Sequence, residues 1–166
     1  DNPVVRLDMR QAHGQILAEM LREAQVDVAL GPPEIASRAP GASSCILFKS
    51  PMVILASRYH PLAGRMAVNR TDLEAARWAL HQPGSGIRIA ADQLLAQIGL
   101  GKPLQANELP SNMILSLLRM GDHLAVVPRY VLATTSLAGE LVQIDGGETQ
   151  VSLSHAAVWT DRSANP

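Results

Sequence analysis

A single cysteine, Cys45, stands in this chain of 166 residues, so no internal disulfide is available. It precedes Ile46-Leu47-Phe48 and reads as a small buried hydrophobe rather than a reactive thiol. Aromatic residues are almost as scarce, with two Trp, two Tyr and one Phe. A core with so few rings is filled by Ala, Leu and Val, which suits helices packed on both faces of a sheet. Charge is low as well, 17% of residues against the roughly 25% of ordinary soluble domains. Lys+Arg number 14 and Asp+Glu 15, giving a formal net charge of −1 with no basic run. A grip on nucleic acid needs a basic patch or stripe, so these residues are not expected to hold DNA themselves. Apolar content of 47% excludes a disordered chain. No apolar run reaches membrane-spanning length and no secretory pattern opens the sequence. The cytoplasm is therefore the expected compartment.

Catalytic and metal signatures are missing too. His13, His60, His81, His123 and His155 are scattered without metal-ligand spacing. There is no G-x-S-x-G elbow, P-loop or G-x-G-x-x-G turn. Asp8, Asp27, Glu108 and Asp122 form no pairing that argues for acid–base work. The sequence thus names no catalytic residue, no metal site and no cofactor.

What is present is α/β periodicity. From Leu109 to Asp145 the chain reads helix, Gly stop, buried strand, Pro, helix, Gly stop, strand. Ser111 is placed to cap a helix carrying Ile114, Leu115, Leu117 and Leu118. Gly121 suits its left-handed stop. The run from His123 to Val127 has the apolar continuity of a buried strand, Pro128 suits the opening of a helix, and Glu140 to Ile144 returns as a strand. Upstream, Val4 to Met9 reads as a strand. Ile16, Leu17, Met20, Leu21 and Ala24 mark an amphipathic helix after Gly14, and Val26 to Leu30 makes a second strand closed by Gly31-Pro32-Pro33. Glu34 to Ser44 reads as a loop. Two apolar runs, Cys45–Phe48 and Met52–Ala56, follow around Lys49-Ser50-Pro51. Thr71 and Glu74 have capping-box spacing. Trp78 to His81 is a strand, a helix with Ile89, Leu94, Leu95 and Ile98 runs to Gly99 or Gly101, and Leu104 to Asn107 is a further strand. Val151 to Thr160 alternates as the last one.

Several of these pieces resemble the ligand-binding domain of LysR-type transcriptional regulators. They are Asp27 with Ala29-Leu30, His60-Pro61-Leu62-Ala63 ahead of Thr71-Asp72-Leu73, Met120-Gly121, Leu124 to Tyr130 with its Val-Pro-Arg-Tyr corner, and Gly139-Glu140-Leu141-Val142. Gln25 departs from the pattern where the family commonly has Gly. The resemblance runs through most of the chain in order. It implies two α/β lobes joined by two crossover strands, like type II periplasmic binding proteins. Lobe I would be residues 1–48 and 146–166, and lobe II residues 49–145. It also implies that lobe I is incomplete, because family domains carry a strand–loop–helix before the position of Asp1 and a helix after that of Pro166. Exposed edges or apolar faces of lobe I would then be covered by a neighbouring chain.

The resemblance points to an effector seated between the lobes, and the residues supply candidates. Ser85, Gly86, Ile87 and Arg88 form a turn at a helix N-terminus, where orphan N–H groups and the helix dipole favour a carboxylate and Arg88 adds a charge-assisted contact. The same turn also reads as a plain corner with Ser85 as cap and Arg88 on the surface. Asn107, Ser111 and Asn112 make a second strand-to-helix turn, equally readable as capping. Gly31, Pro32 and Pro128 lie at strand ends, where α/β sheets bind ligands. The expected function is effector sensing, with a small carboxylate or polar molecule shifting the arrangement of the whole regulator. DNA would be bound through a helix-turn-helix domain outside these residues, and the protein would pair as a homodimer or a higher homo-oligomer. The alternative is a periplasmic solute-binding protein of the same fold. An enzyme on this fold is a third reading, without a convergent set of reactive residues to support it.

Overall fold

The structure, a computed structural model, describes residues 6–12, 14–134, 139–146 and 150–160. Two compact units emerge: residues 1–47 with 155–166, and residues 48–154. The chain crosses between them at Leu47/Phe48 and at Ser154/His155, so the second crossing falls inside the last strand rather than before it.

In unit 1, helix α1 (Gly14–Arg22) leads to strand β1 (Val28–Gly31) and helix α2 (Glu34–Arg38). Helix α2 lies within the stretch that reads as loop. Pro33 sits in helical conformation ahead of it, Glu34 and Arg38 complement its dipole, and Ile35 anchors it in the core at 1% exposure. Strand β7 (Ser152–Thr160) pairs antiparallel with β1, Val28 opposite Trp159 and Gly31 opposite Ala156. It lies between β1 and strand β2 (Ala42–Ser57). One face of this sheet packs Ala29, Ala156 and Val158 onto Ala18, Leu21 and Ile35. Side chains alternate along a strand, so Val28 and Leu30 point to the other face, where they are 52% and 68% exposed. The expected strand at Val4–Met9 is not seen among its described residues. Arg6 to Met9 run as exposed irregular chain, and residues 4 and 5 lie outside the described set. Cys45 is exposed, contrary to its expected burial. The first half of β2 is thinly covered: Ala42 packs on the unit 1 core and the Phe48 ring meets Tyr130 edge-on, but its residues from Ser43 to Lys49 are all exposed.

Unit 2 holds the second half of β2, helix α3 (Arg70–Ala75), strand β3 (Arg77–His81), helix α4 (Gly86–Gln97), strand β4 (Ala106–Leu109), helix α5 (Ser111–Met120), strand β5 (His123–Pro128), helix α6 (Val131–Thr134) and strand β6 (Leu141–Ile144). The strand order is β6-β2-β5-β3-β4. Strand β2 is antiparallel to β5 and β6, and β3 is parallel to β4 and β5. Alternation splits the strands between two cores. Met52, Ile54, Trp78, Leu80, Leu124 and Val126 face Leu94 and Leu95 of α4. Val53, Leu55, Ala79, Ala125 and Val127 pack with Ile114 and Leu118 of α5. Trp78 is fully buried, and its indole N–H donates to the Leu73 carbonyl at 2.9 Å.

Three local readings need correction. The two apolar runs around Lys49-Ser50-Pro51 are one strand, β2. The capping box belongs to Asn69 and Asp72, whose side chains accept each other's backbone N–H at 2.9 and 3.2 Å, while Glu74 pairs with Arg70 instead. Pro128 closes β5 rather than opening a helix, and α6 begins at Val131. Gly121 does take the left-handed stop, with φ 98°. Among the described residues no helix is long and apolar enough to cross a membrane.

Candidate functional site: the carboxyl edge of the unit 2 sheet

Strands β3 and β4 run parallel and end at His81 and Leu109, which are register partners. Strand β5 runs parallel to β3 and ends at Pro128. Three carboxyl ends therefore share one sheet edge, and α4 and α5 start from two of them. Such an edge is where open α/β sheets take ligands.

At the start of α4, Gly84 supplies the left-handed turn residue at φ 82°. Ser85 is the cap: its hydroxyl accepts the Arg88 N–H at 3.2 Å and donates to the Gln82 carbonyl at 3.0 Å. Gly86 and Ile87 have no acceptor within the helix, as at any helix start. Gly86 is exposed, and Ile87 is half-buried against the α4-side core.

Arg88 is neither a surface residue nor an outward-facing clamp. Its side chain is 7% exposed, and its guanidinium donates to the His81 carbonyl at 2.8 Å, to Asp92 at 2.8 Å and to Glu108 at 3.0 Å. It ties the first turn of α4 to β3 and β4. Burial works against its charge, but the hydrogen bonds and charges of Asp92 and Glu108 prevail and hold its pKa above the ordinary value. His81 beside it is pushed down to about 4, by burial first and then by the Arg88 charge. Its ring is neutral at pH 7, and its buried Nδ1 finds no hydrogen-bond partner among the described residues.

Helix α5 starts differently. Pro110, not Ser111, occupies the cap position, with φ −59° and ψ 150°, and no side chain caps the helix. Ser111 and Asn112 are exposed in the first turn, where their N–H groups lack intrahelical acceptors.

The structure thus aligns Ser85, Gly86, Ile87, Ser111, Asn112 and Pro128 along one edge, with Arg88 as a strut behind them. Asn107 does not join them. Its amide lies 3.1 Å from His123 Nε2, His123 Nδ1 lies 2.6 Å from Asp122, and Asp122 pairs with Arg77 at 2.9 Å. That cluster lies at the amino ends of β3 and β5. The His123 hydrogen bond, with help from Arg77, holds the Asp122 carboxyl below its usual range. Its sequence trace is the Asp-His pair that heads an otherwise apolar strand. Gly31 and Pro32 belong to unit 1, at the β1–α2 turn. A side chain at Gly31 would meet Ile35 Cδ1 at 2.8 Å, so close packing of α2 explains this glycine. Among the described residues no group of three or more His, Cys, Asp or Glu is placed to hold a metal ion.

A mixed sheet with helices on both faces and two open helix starts on one carboxyl edge defines an α/β ligand-binding module. Solved structures share this fold. The Synechocystis PCC6803 CcmR regulatory domain in complex with 2-PG matches with a TM-score of 0.75 at 20% identity, over 97% of this chain and 76% of that one. The BenM effector binding domain with its effector benzoate matches with a TM-score of 0.73 at 18% identity, over 96% and 72%. The LysR substrate binding domain model matches residues 1–166, and the chain belongs to that family. Among curated relatives, the HTH-type transcriptional regulator GalR of Pseudomonas putida is 33% identical over 86% of this chain and 36% of its own length. The HTH-type transcriptional regulator CbbR of Cereibacter sphaeroides is 31% identical over 86% and 46%. The chain therefore spans less than half the length of these two relatives. Both relatives are named as transcriptional regulators.

Proposed function

We propose that this effector-binding domain senses a compact anion, a small carboxylate or a similar group, at the carboxyl edge of the unit 2 sheet. One observation carries the reading: two helices open on the same edge with N–H groups at Gly86, Ile87, Ser111 and Asn112 that their own helices cannot use. The ligand's charge is met by these dipoles, because Arg88 is already committed to Glu108, Asp92 and the His81 carbonyl. No reaction is performed on the ligand. In the longer regulator, binding biases the arrangement of a homodimer, and a separate helix-turn-helix domain contacts DNA in the cytoplasm. The regulator names of the relatives favour this reading over a solute-binding protein feeding a transporter.

Gly86→Pro tests it. The backbone at Ser85 is extended, with φ −77° and ψ 146°, and nothing lies within 4 Å of a Cβ at Gly86, so proline fits and removes only the N–H. Calorimetric titration with small carboxylates, benzoate and 2-PG identifies a binder. The variant is expected to weaken it about tenfold, the loss of one charge-assisted hydrogen bond. A binder indifferent to both Gly86→Pro and Ser111→Pro would overturn the assignment.

A further inference from the structure

Unit 2 contains a recess of about 310 Å³ that none of the residues of the two helix starts lines. It arises from an interruption in the sheet edge. Strand β6 ends with Ile144 opposite Ile54. On the same edge the Met52 N–H bonds the Val151 carbonyl at 2.8 Å. Between these points no described strand runs beside β2, and α4 closes the gap from one side with Leu94 and Ile98. The floor is apolar: Met52, Ile54, Leu94 and Ile144 line it and are each under 5% exposed. The volume falls at the lower end of the range for small-molecule pockets, and the recess is half-open to solvent, with polar groups making up more of its accessible lining than apolar ones.

The polar lining is what selects a ligand. Arg129, Asp145 and Gln143 line the recess and are exposed. The Arg129 backbone is fixed by its N–H bond to the Pro51 carbonyl at 2.8 Å. Among the described residues its guanidinium has no carboxylate partner. Asp145 already has an interaction within the chain, but an ionised carboxylate accepts several hydrogen bonds. A simple anion would bring its charge near Asp145, and a simple amine would bring its own near Arg129. A zwitterion satisfies both. We propose that this recess binds a small α-amino acid with an apolar side chain. Arg129 receives the carboxylate, Asp145 the ammonium, and the side chain lies on Leu94 and Ile98. The recess shares no residue with the two helix starts, although it adjoins the same edge at Arg129 and at Met52, the register partner of Pro128, so the amino acid is a ligand separate from the anion at those starts.

L-leucine is the probe, with 4-methylpentanoate and isopentylamine as analogues that each keep one charge. Titration calorimetry on the whole chain is expected to show leucine binding that weakens about tenfold in Arg129→Ala and about tenfold for either analogue, the loss of one charged contact. Ile98→Trp, which fills the recess, abolishes binding, and Gly86→Pro leaves it unchanged. Arg129 is exposed, so its variant folds even if the tryptophan variant does not. The proposal is overturned if leucine does not bind at millimolar concentration. Binding that survives Arg129→Ala, is matched by 4-methylpentanoate, or is lost in Gly86→Pro overturns it too.

Discussion

In the central strands of unit 2 both sets of alternating residues are buried, whereas in strand β1 of unit 1 only one set is. Strand β5 reads His-Leu-Ala-Val-Val-Pro and is buried at every position. Strand β1 reads Val-Ala-Leu-Gly, about as apolar, yet only Ala29 is buried. The strand's own residues do not decide this. Unit 2 has α4 on one face of its sheet and α5 on the other. Unit 1 has α1 and α2 packed on one face, and Val28 and Leu30 face outward. Apolar side chains stabilise in proportion to the area removed from water, so equal composition gives unequal stability.

The largest expected effect tests the doubly covered sheet. Trp78→Ala empties a fully buried site and removes the hydrogen bond to Leu73, and should cost about 3–5 kcal/mol by urea denaturation. A loss below about 1 kcal/mol would mean that unit 2 does not unfold around this core.

Acid should act on both units next, since burial also lowers His155 in unit 1. His81 in unit 2 is held down to about 4, below the unfolded value of about 6.5. Between those values the unfolded chain binds the extra proton. Stability is therefore full above about pH 6.5 and falls as the pH drops toward 4, by about 3 kcal/mol. His60 is also lowered by burial and acts with the same sign. Replacing His81 with Phe should flatten this part of the denaturation profile, and an unchanged slope would place its origin elsewhere.

The smallest effect belongs to the bare face. Leu30→Thr at a 68% exposed position should change stability by less than about 0.5 kcal/mol. A cost like that of a core substitution would show that Leu30 is covered in solution, and the contrast between the units would then disappear.

The α/β order was legible because its signals are local. The Gly121 stop, the apolar run of β5 and the amphipathic spacing of α1 need no distant partner. What escaped depends on distant ones. Helix α2 is five residues long and held by Ile35 in the core, a contact that no short window shows. Strand β2 looked divided at Ser50, but that serine is buried and accepts the Tyr130 N–H at 3.2 Å, from a residue eighty positions away. At the site, the Ser85 cap could be read from its own turn. The role of Arg88 could not, because Glu108 and the His81 carbonyl reach it from other strands. Asn107 was drawn away from the carboxyl edge by His123, also on another strand. The recess depends on where β6 stops, which topology alone fixes.

Pro51 sits within the sixteen residues of β2, close to the point where the chain passes from one unit to the other. It has no N–H to give to a ladder. Its carbonyl is held by Arg129, and the Met52 N–H by Val151, so pairing resumes at once on the unit 2 side. The first half of β2 is exposed and the second buried. Opening of the exposed half therefore has a natural stopping point at Pro51. Geometrically β2 is one strand, but its two halves are expected to exchange as separate cooperative segments in native-state hydrogen exchange.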